Sequence, residues 1–101
     1  MEKLIILPSW CESLGGMTVS LSMTIAGFDK LQRLDSIIVL VKSNSLLENY
    51  LQHQGHGACL QPIAAEDGAQ FYQRALKWVA RQPRDYPLLI ENCTSLYLLP
   101  I

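Results

Sequence analysis

The stretch KLIILPSWCESLGGMTV, residues 3–19, decides the fold. Its apolar run at residues 4–7 has the length of a strand, and Pro8 ends it because proline cannot donate a ladder hydrogen bond. A polar loop then leads to the glycine pair Gly15 and Gly16, where a long segment of small and apolar residues begins. We predict a strand, a loop and a helix start. Many α/β proteins bind a phosphate or a sugar at such a helix start. The backbone N–H groups there point at the ligand, and glycines have no side chain to block its approach.

The composition predicts one folded domain. The chain has 101 residues and 50% of them are hydrophobic, so we expect residues 1–101 to form a single domain, or part of one, with a buried core. The formal net charge is −1, and the basic residues are scattered along the chain. Nucleic acid is recognised by clustered positive charge, so we expect no nucleic-acid partner.

The cysteines and the apolar runs favour a cytoplasmic setting. Cys11, Cys59 and Cys93 are odd in number and lack CxxC spacing, which favours reduced thiols over a disulfide scaffold. The N-terminal apolar run is too short for a secretory leader. The run at residues 37–41 is far below the ~20 residues that span a bilayer. Peripheral association with a membrane surface stays compatible with this sequence.

Residues 17–31 allow two interpretations. Apolar and polar residues alternate almost perfectly up to Ile25, which is the period of a strand. Ala26, Phe28 and Leu31 continue instead at helical spacing, and about 15 residues without an internal turn exceed a usual strand. We predict a helix. A strand here would turn the glycine pair into a hairpin and change the fold.

Three more strands and two more helices are predicted downstream. The first of these helices is capped by Ser45 with Glu48 three residues later, and the second by Asp67. Their buried stripes are Leu46, Leu47, Tyr50 and Leu51, and Phe71, Ala75, Trp78 and Val79. The strands are residues 36–41, 59–63 and 87–90. The strand at residues 59–63 contains Pro62, which cannot donate a ladder hydrogen bond, so we place this strand at a sheet edge.

The order of elements predicts an α/β fold. Right-handed crossovers on both faces give a Rossmann-like, doubly wound parallel sheet with strand order 3-2-1-4 and three to four helices. Thr94 or Ser95 is a candidate cap for the fourth helix. The switch point lies between the first and fourth strands, and such sheets bind ligands there, at the carboxyl ends of the strands. The candidate substrate-binding residues are Trp10, Glu12, Gly15, Gly16, Met17, Glu91 and Asn92.

These candidates do not assign a catalytic residue. Glu12 and Glu91 follow neighbouring strands and suit acid–base or sugar-hydroxyl contacts, or else they are solvated loop carboxylates. Trp10 is either a residue that stacks on a sugar ring or a packing residue. Cys11 and Cys93 are expected to be small buried side chains, since no basic neighbour would activate the thiol.

A metal site is not predicted. His53, His56 and Cys59 have spacings that suit a metal, but nothing supplies a dependable fourth ligand. Histidines near the end of a helix also complement the helix dipole.

The chain closes on the apolar residues 96–101, LYLLPI. Burying one Leu or Ile contributes roughly 1.5–3 kcal/mol, against a total domain stability of about 5–15 kcal/mol. We therefore expect these residues to dock on this chain, on a second copy, or on residues beyond the chain. The last option is favoured, so an incomplete domain is expected.

The first strand, residues 4–8, and the stretch GGMTV at residues 15–19 resemble the opening strand and glycine loop of GT-B glycosyltransferases of the family-four type. The stretches at residues 37–41 and 88–95 agree with this family in order and spacing. The resemblance implies transfer of a sugar from a nucleotide-sugar donor to a sugar or glycolipid acceptor. The acceptor is held mainly by the N-terminal domain, with Gly15 and Gly16 lining the interdomain cleft.

Two departures limit what the resemblance implies. The family binds its nucleotide sugar mostly in a C-terminal domain that carries a pair of glutamates, and this chain has no such domain. The family often has a histidine after the fourth strand, where this chain has Glu91 and Asn92. The resemblance therefore implies an acceptor-side portion that is not competent alone, without a cofactor in this chain. The alternative is a free-standing Rossmann-like or flavodoxin-like ligand-binding or interaction module, dimerising through residues 96–101.

Overall fold

The computed structural model describes residues 3–8, 11–12 and 15–91, with residues 16, 17 and 91 described through their backbone. The strands are β1 Leu4–Pro8, β2 Ile37–Lys42, β3 Leu60–Ile63 and β4 Leu88–Glu91. The α-helices are α1 Gly16–Lys30, α2 Leu46–His53 and α3 Gly68–Ala80. The predicted cap of a fourth helix and the predicted docking of residues 96–101 lie outside the described residues.

The strands form one parallel sheet in the order β3-β2-β1-β4, which confirms the predicted fold class and strand order. Ile5 of β1 is aligned with Ile38 of β2 on one side and with Leu88 of β4 on the other. Crossovers between parallel strands are right-handed, and the chain reverses direction across the sheet after β3. Helices α1 and α2 therefore lie on one face and α3 on the other.

The burial of the two inner strands, β1 and β2, explains why their sequences are continuously apolar. Ile5, Ile6 and Leu7 of β1 are fully buried, as are Val39, Leu40 and Val41 of β2. A strand covered on both faces by helices has no solvent side and therefore loses the usual alternation of polar and apolar residues.

Helix α1 confirms the helical interpretation of residues 17–25. Leu21 and Ile25, four residues apart, are fully buried, and Thr18 lies on the same face. Val19 and Met23 belong to the apparent strand alternation, but they are 54% and 70% exposed. The alternation therefore arose from apolar residues on two different faces of one helix.

Helix α2 is capped by a variant of the predicted capping box. The Glu48 N–H donates to Ser45 Oγ at 3.2 Å, as predicted. The Glu48 carboxylate accepts from the N–H of Asn44 at 2.6 Å, one residue before the cap. Leu47 and Leu51 form the buried face, whereas Leu46 is exposed at the first helical position, so its assignment to the stripe was wrong.

The two outer strands differ in how well they are covered. The strand β3 lies at a sheet edge, as Pro62 predicted. Strand β4 pairs only with β1 among the described strands, and its Leu88, Leu89 and Ile90 are 38%, 43% and 46% exposed. The apolar run of β4 thus reads like a central strand, yet both of its faces reach solvent in the described part of the chain.

None of the helices in the described ranges combines the length and the hydropathy needed to cross a bilayer.

Candidate functional site

The carboxyl ends of β1, β2 and β4 meet at one edge of the sheet. Pro8, the last residue of β1, is aligned with Glu91, the last residue of β4. Strand β2, which pairs with β1 on its other side, ends at Lys42. The chain segments that leave β1 and β4 therefore start side by side at the topological switch point, the position where parallel sheets of this type bind ligands.

Helix α1 begins at this edge without a side-chain cap. Gly15 has extended backbone angles (φ −171°, ψ −150°), which suit the residue that precedes a helix. The Gly15 N–H donates to Thr18 Oγ1 at 3.1 Å, but no side chain at Gly15 accepts from the first-turn N–H groups. A Cβ added at Gly15 would meet no atom of the described residues within 4 Å. The N–H groups in the first turn of α1, at the positive end of its dipole, therefore have no acceptor from the capping residue.

Glu12 and Lys42 form an ion pair beside the loop. Lys42 Nζ donates to Glu12 Oε1 at 3.0 Å, and the Lys42 side chain is largely buried while that of Glu12 is more exposed. Glu12 is therefore an exposed carboxylate that is paired with one lysine. The pair joins the β1–α1 loop to the end of β2.

Cys11 connects the same loop to α2. The Cys11 carbonyl accepts from the N–H of Leu47 at 3.0 Å, which ties the loop to the first turn of α2. The Cys11 side chain is buried, and burial raises the pKa of its thiol. The thiol therefore stays protonated at neutral pH and acts as a small packing group, as the sequence led us to expect.

The other predicted site residues contribute differently. Gly16 and Met17 form the first turn of α1, and Glu91 closes β4 beside Pro8. Trp10 and Asn92 lie outside the described residues. Lys42 was not among the predicted site residues, although a charge at the carboxyl end of the apolar strand β2 was a usable signal.

His53 and Cys59 contact backbone carbonyls, whereas the buried imidazole Nδ1 of His56 has no hydrogen-bond partner among the described residues. The imidazole Nδ1 of His53 lies 3.1 Å from the Asn49 carbonyl oxygen. Cys59 Sγ donates to the carbonyl of His56 at 3.3 Å, and burial raises the pKa of Cys59 to about 11. In the part of the chain that the structure describes, no three His, Cys, Asp or Glu side chains are grouped as metal ligands.

The site at the carboxyl edge thus combines three kinds of polar group. Helix N–H groups donate, the Lys42 ammonium carries positive charge, and the Glu12 carboxylate accepts. A polyhydroxylated ligand has hydroxyl groups that both donate and accept, so it can use all three. Comparison with protein-family models, with curated proteins and with solved structures found no match to this chain.

Proposed function

We propose that this chain is the acceptor-side portion of a GT-B glycosyltransferase and holds a sugar-containing acceptor at the carboxyl edge of β1 and β4. The observation that carries the proposal is the open, glycine-capped start of α1 at the switch point. Ligands of parallel sheets approach helix N-termini there, and a glycine leaves them room.

The chemistry of the neighbouring groups supports a sugar over a simple anion. A free phosphate would be attracted by the α1 dipole and by Lys42, but it would be repelled by the carboxylate of Glu12. Sugar hydroxyls can donate to this carboxylate and accept from the helix N–H groups. The acceptor hydroxyls therefore fit the mixture of charges better than a bare anion does.

Our proposal assigns the transfer step to groups outside this chain. Glu12 Oε1 accepts a hydrogen bond from Lys42 Nζ. In our proposal the nucleotide-sugar donor is held by a separate domain, and this chain binds the acceptor without transferring a sugar. The second candidate is a free-standing Rossmann-like binding module, which the same α1 start supports.

Titration followed by amide NMR tests the binding site. We expect glucose and a short glucoside to shift the amide resonances of residues 15–19 together with those of Glu12 and Lys42. Gly15→Asp places a carboxylate where the ligand would sit and caps the first-turn N–H groups itself. It should abolish the shifts without unfolding the protein, since the added atoms meet open space.

Gly68→Asp is the matched control. It adds the same charge at the start of α3, where an added Cβ also meets no atom within 4 Å. Sugar binding that survives Gly15→Asp, or that Gly68→Asp weakens equally, would contradict the proposed site. Tight binding of a nucleotide sugar to this chain alone would contradict the acceptor-side assignment and favour the free-standing module.

A further inference from the structure

A groove of about 330 Å³ lies beside the outer strand β3, between this strand and α3. We call it the α3 groove and define it by Pro62, Ile63, Arg74, Lys77, Trp78 and Arg81, which line it. The groove lies beside β3, whereas the switch point lies between β1 and β4, and Ile63 of the groove is aligned with Lys42 of the neighbouring strand. The cations of the groove belong to the α3 segment, on the opposite face of the sheet from the start of α1.

The groove carries three positive side chains without an ion-pair partner among the described residues. Arg74, Lys77 and Arg81 follow one another at intervals of three and four residues, so they share one face of α3 over about 10 Å. The ion pair found among the described residues joins Lys42 to Glu12, at the carboxyl edge. The three cations therefore have no carboxylate within 4.0 Å in the described chain, although the whole chain carries a net charge of −1.

Arg74 is held in place by the backbone. Its Nη1 donates to the carbonyl oxygen of Ala64 at 2.8 Å, in the loop that follows β3. This bond fixes the guanidinium without neutralising it and leaves its other N–H donors for a ligand. Trp78 is half-buried against the core and also lines the groove. A fixed arginine beside a tryptophan is the composition that dominates the energetics of many protein interfaces.

The edge of β3 cannot accept another strand at this position. The Ile63 carbonyl accepts from the N–H of Ser43 at 3.0 Å and so faces β2. Backbone polar groups alternate along a strand, so those of Pro62 face outward. Proline has no N–H to offer, and its carbonyl already accepts from Gln61 Nε2 at 3.2 Å. At this position β3 has no N–H to donate, so the donors of the groove are side chains.

We propose that the α3 groove binds an acidic peptide segment of a partner protein. Its carboxylates pair with Arg74, Lys77 and Arg81, and an apolar residue of the segment packs on Trp78. Many phosphate sites use converging backbone N–H groups, whereas Pro62 in the strand that faces this groove has no N–H. A row of separate cations along an open groove suits a linear series of carboxylates.

Fluorescence anisotropy with a labelled glutamate-rich peptide carrying one central leucine tests the proposal on the whole chain. We expect saturable binding that weakens as salt is raised, because exposed charges are screened. Arg74→Gln should weaken binding about tenfold, since it removes charge-assisted hydrogen bonds from a fixed donor. Lys77→Gln and Arg81→Gln should weaken it roughly threefold, as for exposed ion pairs.

Arg33→Gln is the matched control, since Arg33 is an exposed arginine outside the groove. It should leave binding unchanged, and the peptide with glutamine in place of glutamate should not bind. Circular dichroism shows whether each variant is folded, and amide NMR should place the shifts at residues 61–64 and 74–81. Absence of binding, or equal weakening by Arg33→Gln, overturns the proposal. Tighter binding of single-stranded DNA or of anionic phospholipid vesicles through the same arginines also overturns it.

Discussion

Helices α1 and α3 both follow a parallel strand, yet they begin in opposite ways. At α3 the N–H of Gln70 donates to Asp67 Oδ1 at 2.8 Å, and the N–H of Glu66 donates to Gln70 Oε1 at 2.7 Å. At α1 the capping residue is Gly15, which has no side chain to accept such a bond. The comparison shows a helix start closed by the protein itself and another left open, at the edge where ligands of this fold bind.

The largest effect is expected from the buried face of α1, which holds this helix on the sheet although it lacks a side-chain cap. Ile25 is fully buried, so Ile25→Ala should lower the free energy of unfolding by about 2–5 kcal/mol through lost burial and the cavity left behind. Urea denaturation measures this change. Met23→Ala, on the exposed face of the same helix, should stay within about 0.5 kcal/mol. Similar losses for both variants would contradict the face assigned to α1.

Removing the cap of α3 should have the next largest effect. Asp67→Ala leaves the N–H of Gln70 without its acceptor and should cost about 1 kcal/mol in unfolding free energy. Ser45→Ala at α2 should cost a similar amount, because it removes the acceptor of the Glu48 N–H. Thermal denaturation of both variants checks this, and unchanged midpoints would mean that the caps do not distinguish these helices from α1.

Supplying the missing cap at α1 should stabilise the protein. In Gly15→Asp the new carboxylate can accept from the first-turn N–H groups and meets the positive end of the dipole, for a gain of about 0.5–1 kcal/mol. The same variant should lose sugar binding. A gain in the denaturation midpoint together with a loss of the NMR shifts would show that the open start trades stability for binding. A destabilised Gly15→Asp would contradict the open geometry.

The smallest effect at neutral pH comes from the buried thiols. Burial raises the pKa of Cys59 to about 11, whereas the unfolded thiol ionises near its ordinary value of 9.0. The folded state therefore keeps its proton longer, and this contribution to stability is intact below pH 9 and is lost as the pH rises towards 11. As the pH rises from 9 to 11, the free energy of unfolding should fall less steeply for Cys59→Ala than for the unmodified protein. Equal slopes for both proteins would argue against a buried Cys59 thiol.

Much of the fold could be predicted from local patterns. The β-branched run of β2, the caps Ser45 and Asp67 and the edge position of Pro62 each reflect interactions within a few residues. Leu46 was misassigned because its period matched the buried stripe, while the first helical position turned it to solvent. The apolar run of β4 reads like a central strand, but the predicted order 3-2-1-4 already placed it at an edge with one neighbour, in agreement with its exposure.

The candidate sites were less accessible to sequence reasoning. The carboxyl edge followed from the strand order, so Glu12, Gly15 and Glu91 were named before their geometry was known. The partner of Glu12 was not, since Lys42 is 30 residues away along the chain. The α3 groove was missed because Trp78 was assigned to the core, and only the packing of α3 beside β3 shows that it also faces Pro62.

The sequence by itself determined the parallel α/β order, two of the three helix caps and the glycine start of α1, because period, capping and backbone freedom act over a few residues. The tertiary structure decided which face of α1 is buried, that Glu12 is paired with Lys42, and that three cations and a tryptophan line one groove. These features depend on crossovers that bring distant segments together, and no local pattern encodes their distances.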